Sequence, residues 1–239
     1  MMKYVGVDGC RGGWFAFWIE DGHWSSLRYA DFRTLWAAHS DARCILVDIP
    51  VGLAEDADRA ADRQMRSVLG KRKSSVFNAP VRRAVYASSK AEARSINQRL
   101  IGKSLSEQSL GIAKKIKEVD SFLLETAGAR EIVLESHPEL CFAKMVGSPM
   151  EYAKKDFFGG LERLRIIRNF VPEIESLLTG SRALYPRSVV EADDMLDAFI
   201  LAVTAWKGQG RLTPMPDPPE IDGRGLRMAV WYHDISNEV

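Results

Sequence analysis

The chain has 239 residues, 46% of them hydrophobic, so it can bury a large core and suits one domain that carries an insertion. No apolar run approaches the ~20 residues needed to cross a bilayer, and the N-terminal stretch MMKYVGVDG lacks the pattern of a signal peptide, so a cytoplasmic protein is expected. Three widely spaced cysteines, Cys10, Cys44 and Cys141, exclude a disulfide framework and a structural zinc knot, and the net charge of +1 points to no partner by itself.

In chain order, residues 3–8 read as a strand. The run from Gly13 to Glu20, the Asp-Gly pair at 21–22 and the run 23–30 read as a hairpin, so three strands open the fold. Residues 31–38 predict a short helix capped by Asp31, leading into a strand that ends on Asp48. Residues 54–69 and 106–127 have helical apolar spacing, with Leu110, Ala113, Ile116, Val119 and Leu123 on one stripe of the second. Between them the run GKRKSSVFNAP is punctuated as a loop.

Residues 131–136 predict another strand, Pro138 the first turn of a helix, and 159–170 a further helix. The run 191–208 is the last strong helix, its apolar residues and alanines suited to packing on a sheet. A Pro-rich run, 213–223, predicts a rigid connector to a final strand at 226–232. The predicted class is α/β: one domain over 1–239 with a mixed sheet, made of a three-strand antiparallel meander plus parallel strands and flanked by helices. A helical insertion occupies 54–130.

Charge is unevenly distributed. Residues 63–103 hold eleven Lys and Arg against one acid, Glu92, which leaves 22 basic and 31 acidic residues elsewhere. Such a block attracts a polyanion, or else docks on the acidic body.

Three predicted strands end on an acid: Asp8, Asp48 and Glu135. Ligands gather beyond the carboxyl ends of strands in α/β sheets, so neighbouring strands would bring these carboxylates together. The last helix adds Asp194 and Asp197, which at i and i+3 share a face, with Asp193 beside them. Crowded carboxylates must protonate, find cations or bind metal; oxygen donors suit Mg²⁺ or Mn²⁺. Near these acids in the sequence the only base is Arg11, while His137 and Glu139 flank Glu135 as supporting candidates. Arg72, Lys73, Ser74, Ser75 and Asn78 are candidates for contacting phosphate.

The segments GVDGCRGGW, VDIPVGL, LGKRKSSVFNAP, EQSLGIAKKIKEVD, ESHPELCF and DDMLDAFILAVTA, spread over residues 6 to 206, resemble a family of predicted nucleases of unknown function, DUF429. The resemblance implies a ribonuclease H-like fold. More distantly the pattern is similar to RuvC-type resolvases, which implies two divalent ions on a first-strand acid, a later-strand acid and an acid pair on the last helix. Here those are Asp8, Asp48, Asp194 and Asp197, with Glu135 in the family's own ESHPE block.

The leading expectation is a metal-dependent nuclease with Asp8, Asp48, Glu135, Asp194 and Asp197 as catalytic metal ligands. Expected partners are nucleic acid, DNA or RNA, and a second copy in a homodimer; no membrane is expected. One alternative is an actin-like or sugar-kinase-like nucleotide site, with DGCRGG holding phosphate by backbone N–H groups. Another is a non-catalytic nucleic-acid adaptor that uses the basic block alone.

Overall fold

Side-chain alternation sets up the sheet. Along Lys3–Cys10 (β1), Tyr4, Gly6, Asp8 and Cys10 share one face while Val5 and Val7 take the other. The two faces feed two separate buried cores, with Tyr4 and Cys10 in one and Val5 and Val7 in the other. A strand apolar on both faces is a strand covered on both.

In the computed structural model, which describes residues 2–234, β1 lies in the middle of five strands. Gly13–Glu20 (β2) and His23–Tyr29 (β3) run back and forth beside it, and Cys44–Val47 (β4) and Val133–Glu135 (β5) extend the other side in parallel. The order is β3-β2-β1-β4-β5. This is the α/β mixed sheet predicted from the sequence, and it is consistent with a ribonuclease H-like arrangement.

Phe32–His39 (α1) connects β3 to β4, and Asp31 caps it by accepting the Thr34 N–H at 2.8 Å. Between β4 and β5 come Ala60–Leu69 (α2), a 3-10 turn at Gly70–Ser75, Arg82–Val85 (α3), Lys90–Ile101 (α4) and Glu107–Glu125 (α5). The predicted helix over 54–69 forms only from Ala60, and α4 falls in a part of the predicted helical insertion to which no individual helix is assigned from the sequence. Ser89 caps α4 at the Glu92 N–H, a signal present in the sequence. After β5 follow Pro138–Val146 (α6), Phe157–Arg168 (α7), Ile174–Leu184 (α8) and Ala192–Lys207 (α9).

Helix α9 is the structural centre. Glu191 and Asp194 form a reciprocal capping box at its start, and an apolar run from Ala198 to Val203 is fully buried. Phe199 packs between Phe17 and Trp24, with ring centroids 4.6 and 4.7 Å away, aromatic contacts worth about 0.5–1.5 kcal/mol each beyond area burial. Gly6 permits the close approach to β1. A Cβ there would stand 2.1 Å from both the Ala198 carbonyl and the Ala202 N.

The Pro-rich run is not a connector but a strand. Thr213–Ile221 (β6) pairs with Arg227–Tyr232 (β7) in a second, two-stranded sheet. Proline lacks the N–H a central strand needs, yet an edge tolerates it, and here the register shifts between Met215 and Glu220, across the prolines.

Much of the basic block is consumed internally. Arg82 is buried among Asp120, Asp222 and Glu55, Arg66 is held by the Val76 carbonyl and Asn78, Arg94 and Lys90 pair with Glu107, and Lys103 pairs with Asp58. Acids account for Arg82, Lys90, Arg94 and Lys103, and a carbonyl with an amide oxygen accounts for Arg66.

Candidate functional site

Parity brings the acids together. Asp8 is two residues beyond Gly6, so it faces α9, and Asp48 follows β4 on the face of Cys44 and Leu46. The Asp48 N–H donates to the Val7 carbonyl at 2.9 Å, extending the ladder past Val47 and holding Asp48 level with Asp8. Asp197 directly precedes Ala198, the residue seated over Gly6. One carboxylate oxygen each from Asp8, Asp48 and Asp197 lies within 4.8 Å of the others.

Burial and repulsion dominate the electrostatics. Loss of water, then the charges of Asp48 and Asp197, raise the Asp8 carboxyl well above the usual range. Burial, then Asp197, pushes Asp48 up to about 7. Asp194 rises to about 6, mainly by burial. It reaches the cluster only by its field, since its own carboxylate accepts the Glu191 N–H at 2.8 Å as a cap.

The counter-charge is Lys154, which sequence reasoning missed. Its Nζ stands 2.7 Å from Asp197 and 3.9 Å from Asp193. Although burial opposes it, attraction by Asp197 and Asp8 holds the ammonium above its ordinary range. A second lysine, Lys115, packs its stem on Gly9, donates to the Gly13 carbonyl and lies 4.4 Å from the Trp14 ring. Neither is near an acid of the cluster in sequence, so spacing gives no signal for them.

Glu135 is not among the three. It is level with Val47 rather than Asp48, so alternation turns it to the opposite face. There it takes two bonds from Arg59, at 2.6 and 2.7 Å, and the Val51 N–H at 2.7 Å. Burial still pushes its carboxyl up to about 7, with Arg59 opposing. Arg11 is exposed, 3.8 Å from Glu191 at the start of α9.

A cleft of about 330 Å³ opens on the acids, with Asp48, Asp197 and Lys154 in its lining. Arg72, Ser74 and Ser75 also line it. Lys73 does not border the cleft, and Asn78 is engaged by Arg66 and Asp58. His137 and Glu139 are in the lining too. Glu139 is bound through one oxygen to Arg163, while its Oε2 and the His137 Nδ1 are buried without a hydrogen-bond partner among the described residues. Burial lowers the His137 pKa, favouring the neutral ring.

The glycines after Asp8 serve packing. A Cβ at Gly12 would meet Val189 at 2.7 Å, one at Gly13 would meet the Tyr29 carbonyl at 2.1 Å, and the Gly12 N–H donates to the Val189 carbonyl. That turn is filled by protein rather than open as a phosphate cradle.

The family model described as "Protein of unknown function (DUF429)" matches residues 6–221. The chain belongs to this family. The match runs from β1 to the end of β6, so the three clustered acids and the cleft of this DUF429 chain all lie within it. No curated protein and no solved structure matches the chain.

Proposed function

We propose that this DUF429 chain is a Mg²⁺- or Mn²⁺-dependent nuclease that hydrolyses phosphodiester bonds of nucleic acid. The carrying observation is the convergence of Asp8, Asp48 and Asp197, with the Lys154 ammonium on Asp197. The donor set is all oxygen, which favours hard divalent ions, and the Lys154 ammonium paired with Asp197 supports a cation at that edge of the cluster. Asp8, Asp48 and Asp197 would hold one ion, and Glu139, whose unpartnered Oε2 belongs to a residue that shares the cleft lining with Asp48, would offer a ligand to a second.

Such ions lower the pKa of a bound water and neutralise charge on the phosphate. The protein's own residues supply the rest. Lys154, released from Asp197 as the ion enters, would pair with a phosphate oxygen, and neutral His137 on the cleft wall can accept or relay a proton. Arg72 and Lys155 add positive charge to the same wall.

The test is cleavage of single-stranded, hybrid and branched substrates with Mn²⁺. Asp8→Asn, Asp48→Asn and Asp197→Asn should each lower the rate by about 100-fold or more. Activity that persists in all three removes these residues from the chemistry. An adaptor would bind the same substrates without turnover and without any dependence on divalent ions.

A further inference from the structure

The cleft beside the acids is small, about 330 Å³, and lined by acids, cations, an amide and an aromatic ring. We infer that it receives a single unpaired nucleotide, with its phosphate at the acidic end and its base toward Phe77 and Gln108. This rests on the metal-dependent reading above and specifies its substrate. At about 330 Å³ the cleft falls at the small end of the roughly 300–1,000 Å³ typical of small-ligand pockets. Two of its walls are tied together: Arg72, on the 3-10 turn, donates to the Met150 carbonyl at 3.1 Å and the Glu151 carbonyl at 2.6 Å. That bridge joins the basic turn to the segment carrying Lys154 and fixes the width of the cleft.

Its lining mixes two chemistries: Asp48, Asp197 and Lys154 share it with the half-buried ring of Phe77 and the amide of Gln108. Among the described residues no side-chain hydrogen bond or ion pair engages Ser74, Gln108 or Lys155, so their polar groups remain available to a ligand. The buried, unpartnered Nδ1 of His137 in the same wall is an independent sign of a missing polar partner. An aromatic face with an amide and cations matches a base and its phosphate, because stacking tolerates any base and the amide can pair with a base edge. A paired base would have to leave its stack to enter, so unpaired or frayed nucleotides are selected.

Two measurements on the full chain test this. The first is calorimetric titration with adenosine or thymidine 5′-monophosphate in the presence of Mn²⁺, with inorganic phosphate as the comparison ligand. One nucleotide should bind per chain, and Phe77→Ala and Gln108→Ala should each weaken it by about tenfold while phosphate binding changes little. The second compares cleavage of a single strand with that of a fully paired blunt duplex of the same sequence; the single strand should be preferred by about 100-fold. Nucleotides that bind no better than phosphate, or affinities unmoved by both substitutions, overturn the inference, as does equal cleavage of the duplex. Nucleotide binding without cleavage of any strand supports the pocket and removes the nuclease reading; duplex cleavage without nucleotide binding does the reverse.

Discussion

Lys154 Nζ and Asp197 Oδ2 lie 2.7 Å apart, which places a protein cation on one of the three clustered carboxylates. On the proposed reading a divalent ion and this lysine compete for Asp197. Lys154→Ala should therefore lower the stability of the metal-free protein by about 1–2 kcal/mol, between the values for exposed and fully buried pairs, since the lysine is partly exposed. The same variant should gain more in melting temperature from added Mn²⁺ than the wild type does. Equal gains would show that the lysine and the ion do not share a site.

The approach of α9 to β1 is the geometric condition for the cluster. Gly6→Ala places a methyl 2.1 Å from two backbone atoms of α9, so the helix must move and carry Asp197 away from Asp8. A loss of about 3 kcal/mol in urea unfolding is expected, together with weaker Mn²⁺ binding. Gly111→Ala on α5, where nothing lies within 4 Å, is the contrast: it should be neutral or stabilising by up to about 1 kcal/mol.

The raised carboxyl pKa values fix a pH dependence. Burial and the neighbouring acids push Asp48 from 3.8 to about 7, so the folded state holds this proton more tightly than the unfolded chain. The resulting stability is fully present below about 3.8 and is lost as pH rises through about 7. The metal-free wild type should lose melting temperature across that window, and Asp48→Asn should flatten the loss. Since an ion must displace the proton, Mn²⁺ affinity should climb over the same window and level off above it, with proton release detectable by calorimetry in buffers of different ionisation enthalpy.

Glu135 and Asp8 should respond in opposite ways. Glu135→Gln takes the nearer of two carboxylates from Arg59, which is 2% exposed and keeps Asp62 at 3.7 Å, and should cost about 1.5–3 kcal/mol while leaving Mn²⁺ affinity unchanged. Asp8→Asn removes repulsion from the cluster and should stabilise the metal-free protein while weakening Mn²⁺ binding, the trade expected where stability is given up for function. Denaturation curves and metal titrations on both variants check this pairing.

The opening strands, the cap at Asp31, Pro138 at the start of α6 and the apolar run of α9 are readable from local pattern because each depends on neighbours in sequence. So are Asp8 and Asp48, although only Asp48 shows where the chain leaves the sheet: β1 runs past the predicted end at Asp8 to Cys10, paired with β2. Glu135 shows the limit. Val133 and Leu134 are both apolar, so the pattern does not reveal which face the next residue takes; only the register with Val47 decides it. Lys154 lies 43 residues from Asp197, and the pairing of Arg82 with Asp222 spans 140, so tertiary contact alone reveals how these charges are balanced. The prolines of β6 read as a connector because their strand is an edge of a separate small sheet, where the usual objection to proline does not apply.

The central claim is that Asp8, Asp48 and Asp197 together bind a divalent ion, and the most direct measurement is calorimetric titration of the full chain with Mn²⁺ at mildly alkaline pH, for the wild type and the three single Asp→Asn variants. Saturable binding in the wild type, weakened by about tenfold or more in every variant, is the predicted result. Binding of equal strength in all four proteins, or none in the wild type at millimolar Mn²⁺, would contradict it.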